Sequence, residues 1–150
     1  MSSEELRTHT ALHVVKGAVQ KVLGATLTTS VYVRGTHGRL TVRFDKKPDE
    51  MEVARVEQAA NQKVAEGAEV LEFEMERQEA EGHFGKDIYD LFPVPSEVTI
   101  LKIVRIPDWN VNCCQERHLE NTSPIGRIRL DTPRFRNSRK ELEVSFDLIG

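Results

Sequence analysis

The first segment of the chain has the apolar spacing of an amphipathic helix. Between residues 9 and 23, apolar side chains recur at helical intervals, at Ala11, Leu12, Val15, Val19, Val22 and Leu23. A period near 3.6 residues is typical of a helix with one buried face. Thr8 is a preferred N-cap residue and Gly24 a preferred helix terminator, so the pattern predicts a helix between them.

Alternating apolar and polar positions follow this helix and predict strands. The first two predicted strands, residues 26–34 and 38–45, are joined by a hairpin turn in which two glycines supply backbone freedom. Pro48 then opens a predicted helix that ends at Gly67. The next segments predict a strand at 68–75, a short helix or turn at 76–85, a loop at 90–96 and a buried strand at 98–106.

The last segment, residues 125–149, predicts two or three strands of one meander. Helices and strands are mixed without a regular strand–helix–strand rhythm. This order favours an α+β fold with a largely antiparallel sheet, on which the N-terminal helix and further helices pack. A length of 150 residues suits a single domain that spans residues 1–150.

Composition predicts the cellular compartment. No apolar run is long enough to cross a membrane, and the opening residues carry acidic and histidine side chains where a signal peptide needs an apolar centre. We therefore expect a cytoplasmic protein without a membrane partner, as a monomer or a small homo-oligomer. Cys113 and Cys114 are adjacent, a position from which two cysteines rarely bridge, so we expect reduced thiols.

Charge is unevenly distributed along the chain. The chain as a whole carries a net charge of −3, whereas residues 127–140 carry +5 and the remaining residues −8. This asymmetry is typical of a strip that binds a polyanion, and equally of a basic hairpin that balances an acidic body.

Two histidine-containing pairs have the spacing of metal ligands. His9 and His13 lie one helical turn apart, and Cys114 and His118 repeat the same three-residue gap about one hundred residues later. Zinc favours four imidazole and thiolate ligands, and two separated pairs are a common way to supply them. Cys113 is the competing thiolate, because its four-residue gap to His118 also fits zinc. We favour Cys114 as the ligand and expect Cys113 to point into the core. The alternative is two solvated histidines and an inert buried cysteine.

Familiar hydrolase motifs are not present in the sequence. A zinc protease of the H-E-x-x-H type has its general base directly after the first histidine, where this chain has Thr10. No G-x-S-x-G nucleophile motif occurs either.

Several motifs, in order along nearly the whole chain, resemble the short form of the AlaX family, which consists of free-standing alanyl-tRNA editing proteins akin to the editing domain of alanyl-tRNA synthetase. These motifs are RTHTALHVVKGAVQKVLG, YVRG and GRLTVRFD around a short turn, DLFPVP, DWNVN, the Cys114 to His118 pair, and TSPIG. The resemblance implies the α+β fold of alanyl- and threonyl-tRNA synthetase editing domains. It also assigns the zinc ligands, one ion per chain, to His9, His13, Cys114 and His118.

The resemblance further implies an activity, hydrolysis in trans of the ester that joins a wrong amino acid to alanine-specific tRNA. Serine is the expected amino acid, with glycine as a second candidate. This chain departs from the synthetase pattern Cys-Gly-Gly-Thr-His by having Gln115, Glu116 and Arg117 between the ligands. It also has Thr-Ser-Pro-Ile-Gly, residues 122–126, in place of Thr-Gly-Glu-Ile-Gly.

Zinc with four protein ligands usually has no open position. Either one ligand, such as Cys114, is released or the coordination shell expands when substrate binds, or zinc orients the substrate while a side chain or ribose hydroxyl assists the water. For serine selection, Thr28 is the first candidate and Ser30 the second, since strand alternation places both on one face.

For tRNA phosphates the candidate residues are Lys16, Arg127, Arg129, Arg134 and Arg136. Two other functions fit the same residues. One is an RNA-binding module that zinc staples without hydrolysis, and the other is a small-molecule zinc hydrolase.

Overall fold

The computed structural model describes residues 2–91 and 94–150. In this part of the chain the helices are α1 (Ser3–Leu23), α2 (Glu50–Ala65) and α3 (Arg77–Phe84). The strands are β1 (Thr28–Arg34), β2 (His37–Arg43), β3 (Leu71–Glu76), β4 (Ile100–Ile106), β5 (Asn110–Cys113), β6 (Arg127–Leu130), β7 (Arg134–Arg136) and β8 (Glu141–Ile149). The predicted α+β class is confirmed, with two antiparallel sheets. The predicted loop at 90–96 includes Phe92 and Pro93, which lie outside the described residues.

Helix α1 starts six residues earlier than the sequence pattern predicts. Ser2 is the N-cap, and its Oγ accepts a hydrogen bond from the backbone nitrogen of Glu5 at 3.1 Å. Thr8 lies inside the helix, where its hydroxyl donates to the carbonyl oxygens of Glu4 and Gly35. The predicted end is confirmed, because Gly24 closes the helix in a left-handed conformation.

The larger sheet combines the hairpin β1–β2, which follows α1, with the C-terminal strands β6, β7 and β8. Its strand order is β1-β2-β8-β6, and β8 pairs antiparallel with β2 over residues 141–147. The predicted C-terminal meander is confirmed for β7 and β8, which pair with each other, but it does not extend to β6, which does not pair with β7 in the described chain. Both pair with β8, on the edge opposite β2, with β7 against residues 141–143 and β6 against residues 146–149.

The main core lies between this sheet and the two long helices. One face of the sheet is apolar and buried, and the large side chains fully enclosed there include Leu40, Leu142 and Phe146. Helix α1 supplies Val14, Val15 and Val19 to the same core. Burial of so many residues of α1 fixes the helix against the sheet, so its polar side chains have defined positions as well.

The smaller sheet, β3-β4-β5, has its own apolar cluster of Ala80, Ile88, Leu101 and Ile103. The turn before β5 contacts α1 through Trp109, whose ring nitrogen donates to the carbonyl oxygen of Val14 at 2.9 Å. This contact places the start of β5 beside the middle of α1. None of the helices in the described residues combines the length and apolarity needed to cross a bilayer.

Candidate metal centre

Four side chains from distant parts of the sequence meet at one point. His9 and His13 project from one face of α1, Cys114 directly follows β5, and His118 lies in the loop after it. Their potential ligand atoms all lie within 4.8 Å of one another. Cys113, the alternative thiolate, is not part of this group; it packs against the apolar cluster of the smaller sheet and lines the cavity next to the tetrad. The structure therefore brings together the tetrad that the spacing indicates, with Cys114 as its sulfur.

The geometry of this tetrad fits a metal ion of the zinc type. Nε2 of His9 lies 3.2 Å from Sγ of Cys114, close to the roughly 3.5 Å expected between two ligand atoms around tetrahedral zinc. The imidazole centroids are 4.7 to 5.4 Å apart. Among the residues that the structure describes, both ring nitrogens of His13 and of His118 are buried without a hydrogen-bond partner. Buried polar atoms normally have a partner, and a metal ion would supply one for a single nitrogen of each imidazole.

Burial favours the neutral imidazole form that a metal ion requires. It lowers the pKa of His9, lowers that of His13 further, and lowers the pKa of His118 to about 4. The neighbouring imidazoles act in the same direction on His13 and His118, since like charges repel. Burial has the opposite effect on the thiol and raises the pKa of Cys114. Metal binding must therefore displace a proton from sulfur but not from the three histidines near neutral pH.

Hydrogen bonds from three elements hold the loop that carries Cys114 and His118. The backbone nitrogen of His118 donates to Glu72 on β3 at 3.1 Å, and Leu119 donates to the hydroxyl of Thr10 on α1 at 2.9 Å. Lys102 on β4 donates to the carbonyl oxygens of residues 115 and 116. Oε2 of Glu72 also lies 3.8 Å from Nδ1 of His118. No local sequence pattern marks these supporting residues, since only the folded chain places them beside the tetrad.

A cavity of about 40 Å³ adjoins the tetrad. Its polar lining beside His9, His13 and Cys114 comes from Lys16, Asp90 and Asn112. Nζ of Lys16 donates to Asp90 at 2.8 Å and to Asn112 at 3.0 Å. Asp90 and Asn112 are not among the predicted site residues, although they stand in the DLFPVP and DWNVN motifs that carry the family resemblance.

The two candidate selectivity residues do not share a face. A bulge separates Thr28 from Ser30, because Thr28 pairs with Val42 and Ser30 with Thr41. Thr28 is buried and its Oγ1 has no hydrogen-bond partner among the described residues, whereas Ser30 is exposed. The strand alternation assumed from sequence fails here because the extra residue, Thr29, shifts the register. Neither residue lines the cavity in this structure.

The candidate phosphate-binding residues fall into two groups. Four are exposed arginines on β6 and β7, at positions 127, 129, 134 and 136. Lys16 is different, since only 3% of it is exposed and its ammonium group is engaged by Asp90 and Asn112. It does not contribute to the basic surface in this conformation. Arg136 is paired with Glu143 at 2.7 Å, and Arg129 lies 3.8 Å from Asp147.

Comparison with known proteins identifies relatives of one kind. An alanine–tRNA ligase of Saccharolobus islandicus is 35% identical over 130 residues, which are 83% of this chain and 14% of the relative. The alanine–tRNA ligase of Methanococcus vannielii is 36% identical over 93% of this chain and 16% of its own length. The same enzyme of Staphylothermus marinus is 35% identical over 83% of this chain and 14% of its own length. The chain thus spans about one seventh of these relatives. No family model matches it.

Proposed function

We propose that this chain hydrolyses mischarged alanine-specific tRNA in trans, as an AlaX-like editing domain. The chain is homologous to one segment of alanine–tRNA ligase. Its substrate is the ester between the tRNA 3′ end and serine, with glycine as a second candidate. The resident cofactor is one zinc ion, held by His9, His13, Cys114 and His118.

The observation that carries this proposal is the buried tetrad with its unpartnered imidazole nitrogens beside a small cavity. A purely structural histidine cluster would have hydrogen-bond partners for most of its buried nitrogens. A bound zinc ion supplies Lewis-acid polarisation of a carbonyl oxygen, which is the chemistry that ester hydrolysis needs. The tetrad lies at the cavity wall, so this chemistry is available to a group that enters the cavity.

The protein's own residues limit what can enter. A single water molecule needs about 10 to 15 Å³ of cavity volume, so a cavity of about 40 Å³ holds only a few heavy atoms. The side chains of glycine, alanine and serine are within this limit. Asp90 is the one carboxylate in the lining, and we expect it to accept a hydrogen bond from the α-ammonium group of an aminoacyl ester while it remains paired with Lys16. Lys16 holds that carboxylate in place.

Selection of serine over alanine needs a polar partner for one hydroxyl group. A site that hydrogen-bonds a substrate group can reject the analogue lacking it by up to ~10⁴. Thr28 is our first candidate, because its buried hydroxyl has no partner in the described chain. Contact with substrate requires a local rearrangement, since Thr28 does not line the cavity in this structure. Ser30 becomes the weaker candidate, since it lies on the exposed side of the bulge.

The arginines of β6 and β7 are proposed to bind tRNA phosphates. Arg127 and Arg134 have no ion-pair partner among the described residues, whereas Arg129 and Arg136 each lie near a carboxylate of β8. We therefore expect Arg127→Gln and Arg134→Gln to weaken tRNA binding more than Arg129→Gln. Binding should also weaken steeply as salt rises, because each phosphate contact releases counterions.

Replacement of a single proposed ligand tests the function. His9→Ala should lose zinc and the hydrolysis of seryl-tRNA, while retaining the fold by circular dichroism and the affinity for uncharged tRNA. His83→Ala, a change of an exposed histidine on α3, is the matched control and should behave as the wild-type protein.

Other outcomes of this test would replace the proposal. A wild-type protein that contains zinc and binds tRNA without hydrolysing seryl-tRNA would be the stapled RNA-binding module, and unfolding of His9→Ala would support the same function. Hydrolysis of free aminoacyl esters with no salt-sensitive RNA requirement would indicate a small-molecule hydrolase.

A further inference from the structure

Two strands of the smaller sheet present an ion pair to the loop that carries His118. Glu72 lies on β3 and Lys102 on the neighbouring strand β4, and Nζ of Lys102 is 3.2 Å from Oε2 of Glu72. Both side chains are partly exposed, whereas the side chain of His118 is fully buried. The pair therefore borders the candidate metal centre without belonging to the tetrad.

Glu72 approaches His118 with both of its carboxylate oxygens. Oε1 accepts a hydrogen bond from the backbone nitrogen of His118 at 3.1 Å. Oε2 lies 3.8 Å from Nδ1 of the imidazole ring of the same residue. Of the three imidazoles in the tetrad, His118 alone has a carboxylate at ion-pair distance from a ring nitrogen in the part of the chain that the structure describes. One side chain thus lies against both the backbone and the ring of a single proposed ligand.

Lys102 holds this carboxylate in place. Its ammonium group lies against the oxygen of Glu72 that is near the ring, and it also donates to the carbonyl oxygens of Gln115 and Glu116 at 3.1 and 3.2 Å. These two residues lie between the ligands Cys114 and His118 in the sequence. A single cation therefore fixes the carboxylate and the loop relative to each other, and the carboxylate stays beside the ring.

A neutral imidazole that binds a metal ion through one nitrogen carries its proton on the other. Histidine ligands in proteins commonly donate this proton to a carboxylate or carbonyl oxygen, which orients the ring and makes the ligating nitrogen more basic. In His118 the carboxylate is near Nδ1, so a proton on Nδ1 leaves Nε2 for the metal ion. The separation of 3.8 Å is about 1 Å longer than a hydrogen bond. A small rotation of the partly exposed carboxylate closes this gap.

We propose that Glu72 is a positioning residue of the metal centre, which accepts a hydrogen bond from Nδ1 of His118 and so directs Nε2 to the zinc ion. Lys102 keeps Glu72 in the required position. This inference rests on the proposed function for its zinc ion, but it concerns the affinity of the site rather than the reaction. Loss of such a partner typically weakens metal binding by about 10- to 100-fold.

Glu72→Gln tests the role of the second carboxylate oxygen. Glutamine has one acceptor oxygen in place of two, so it cannot accept from both the backbone nitrogen and the protonated ring of His118. We expect zinc binding, measured by competition with a chelator at neutral pH, to weaken about 10- to 100-fold. Glu76→Gln is the matched control, because Glu76 is an exposed carboxylate on the same strand. It should bind zinc within about 2-fold of the wild type, as is typical of surface substitutions.

A measurement on the wild-type protein tests the same inference without depending on whether a variant folds. In isotope-labelled, zinc-loaded protein, a proton–nitrogen correlation spectrum of the imidazoles reports which ring nitrogen carries the proton. We expect His118 to be protonated on Nδ1 and bound to zinc through Nε2. The inference is overturned if His118 binds zinc through Nδ1. It is also overturned if Glu72→Gln, folded by circular dichroism, binds zinc as tightly as the wild type, since Glu72 would then only support the backbone of the loop.

The outcomes also separate this inference from the proposed function. If zinc-loaded wild type leaves seryl-tRNA intact while Glu72→Gln still weakens zinc binding, only the proposed reaction is refuted. If the wild type hydrolyses seryl-tRNA but Glu72→Gln keeps its zinc affinity, only the positioning role is refuted. If the wild type binds no zinc, both are refuted.

Discussion

Replacement of Gly17 by alanine would bring the packing of α1 into conflict with Trp109. A Cβ atom at Gly17 would lie 2.8 Å from Cε2 of Trp109 and closer still to its Nε1. Real Cβ atoms do not approach heavy atoms this closely, and the indole cannot yield easily, because Nε1 donates to the carbonyl oxygen of Val14. The variant must therefore displace Trp109 or bend the helix beside His13.

The size of the effect follows from three contributions. Overpacking of a well-packed site costs about 1 to 3 kcal/mol, and loss of the indole hydrogen bond costs about 1 kcal/mol. The higher helix propensity of alanine offsets this by up to about 1 kcal/mol. We expect Gly17→Ala to lower the free energy of unfolding by about 1 to 3 kcal/mol in total.

The assay is urea unfolding of metal-free protein, followed by far-UV circular dichroism and by the fluorescence of Trp109, the only tryptophan of the chain. Gly82→Ala is the matched control, since Gly82 also lies in a helix but an added Cβ there would meet no atom within 4 Å. It should be neutral or stabilising by up to about 1 kcal/mol. Equal stability of the two variants, with unchanged fluorescence, would refute the reasoning.

Three further changes test the surroundings of the centre. The metal-free protein should lose stability as pH falls from 6.5 to 4, because the unfolded chain then binds more protons than the folded chain. A folded pKa of about 4 for His118 corresponds to a loss of roughly 3 kcal/mol in the free energy of unfolding. A free energy of unfolding that does not change with pH in urea titrations would contradict this. Lys16→Met should cost about 1 to 3 kcal/mol by leaving Asp90 without its cation, and a gain in stability would mean that desolvation of the ammonium outweighs the pair. Thr10→Val removes the acceptor of the Leu119 backbone nitrogen and should lower the free energy of unfolding by about 1 to 3 kcal/mol. It should also weaken zinc binding in a chelator competition. Unchanged zinc affinity would show that this hydrogen bond does not position the loop.

The tetrad could be predicted because its signal is local. His9 and His13 share one face of their helix wherever that helix packs in the fold. Cys114 and His118 are also close in sequence and lie in one loop. The meeting of the two pairs is a tertiary event, which the sequence indicated through zinc's preference for four such ligands and through the family resemblance.

The remaining features depend on tertiary contacts that no local pattern encodes. A one-residue bulge moves Ser30 off the face of Thr28, although the residues themselves alternate regularly. Lys16 reads as an exposed helical cation until the fold places Asp90 and Asn112 beside it. The start of α1 is a different case, since Ser2 with Glu5 three residues later is itself a recognisable capping pattern in the sequence.

The most direct test of the account is the deacylation of serine-charged alanine tRNA beside alanine-charged tRNA, by protein with a measured content of one zinc ion per chain. We expect rapid loss of serine while alanine is spared. Fully zinc-loaded protein that leaves both tRNAs charged would contradict the central claim that the tetrad is an editing site.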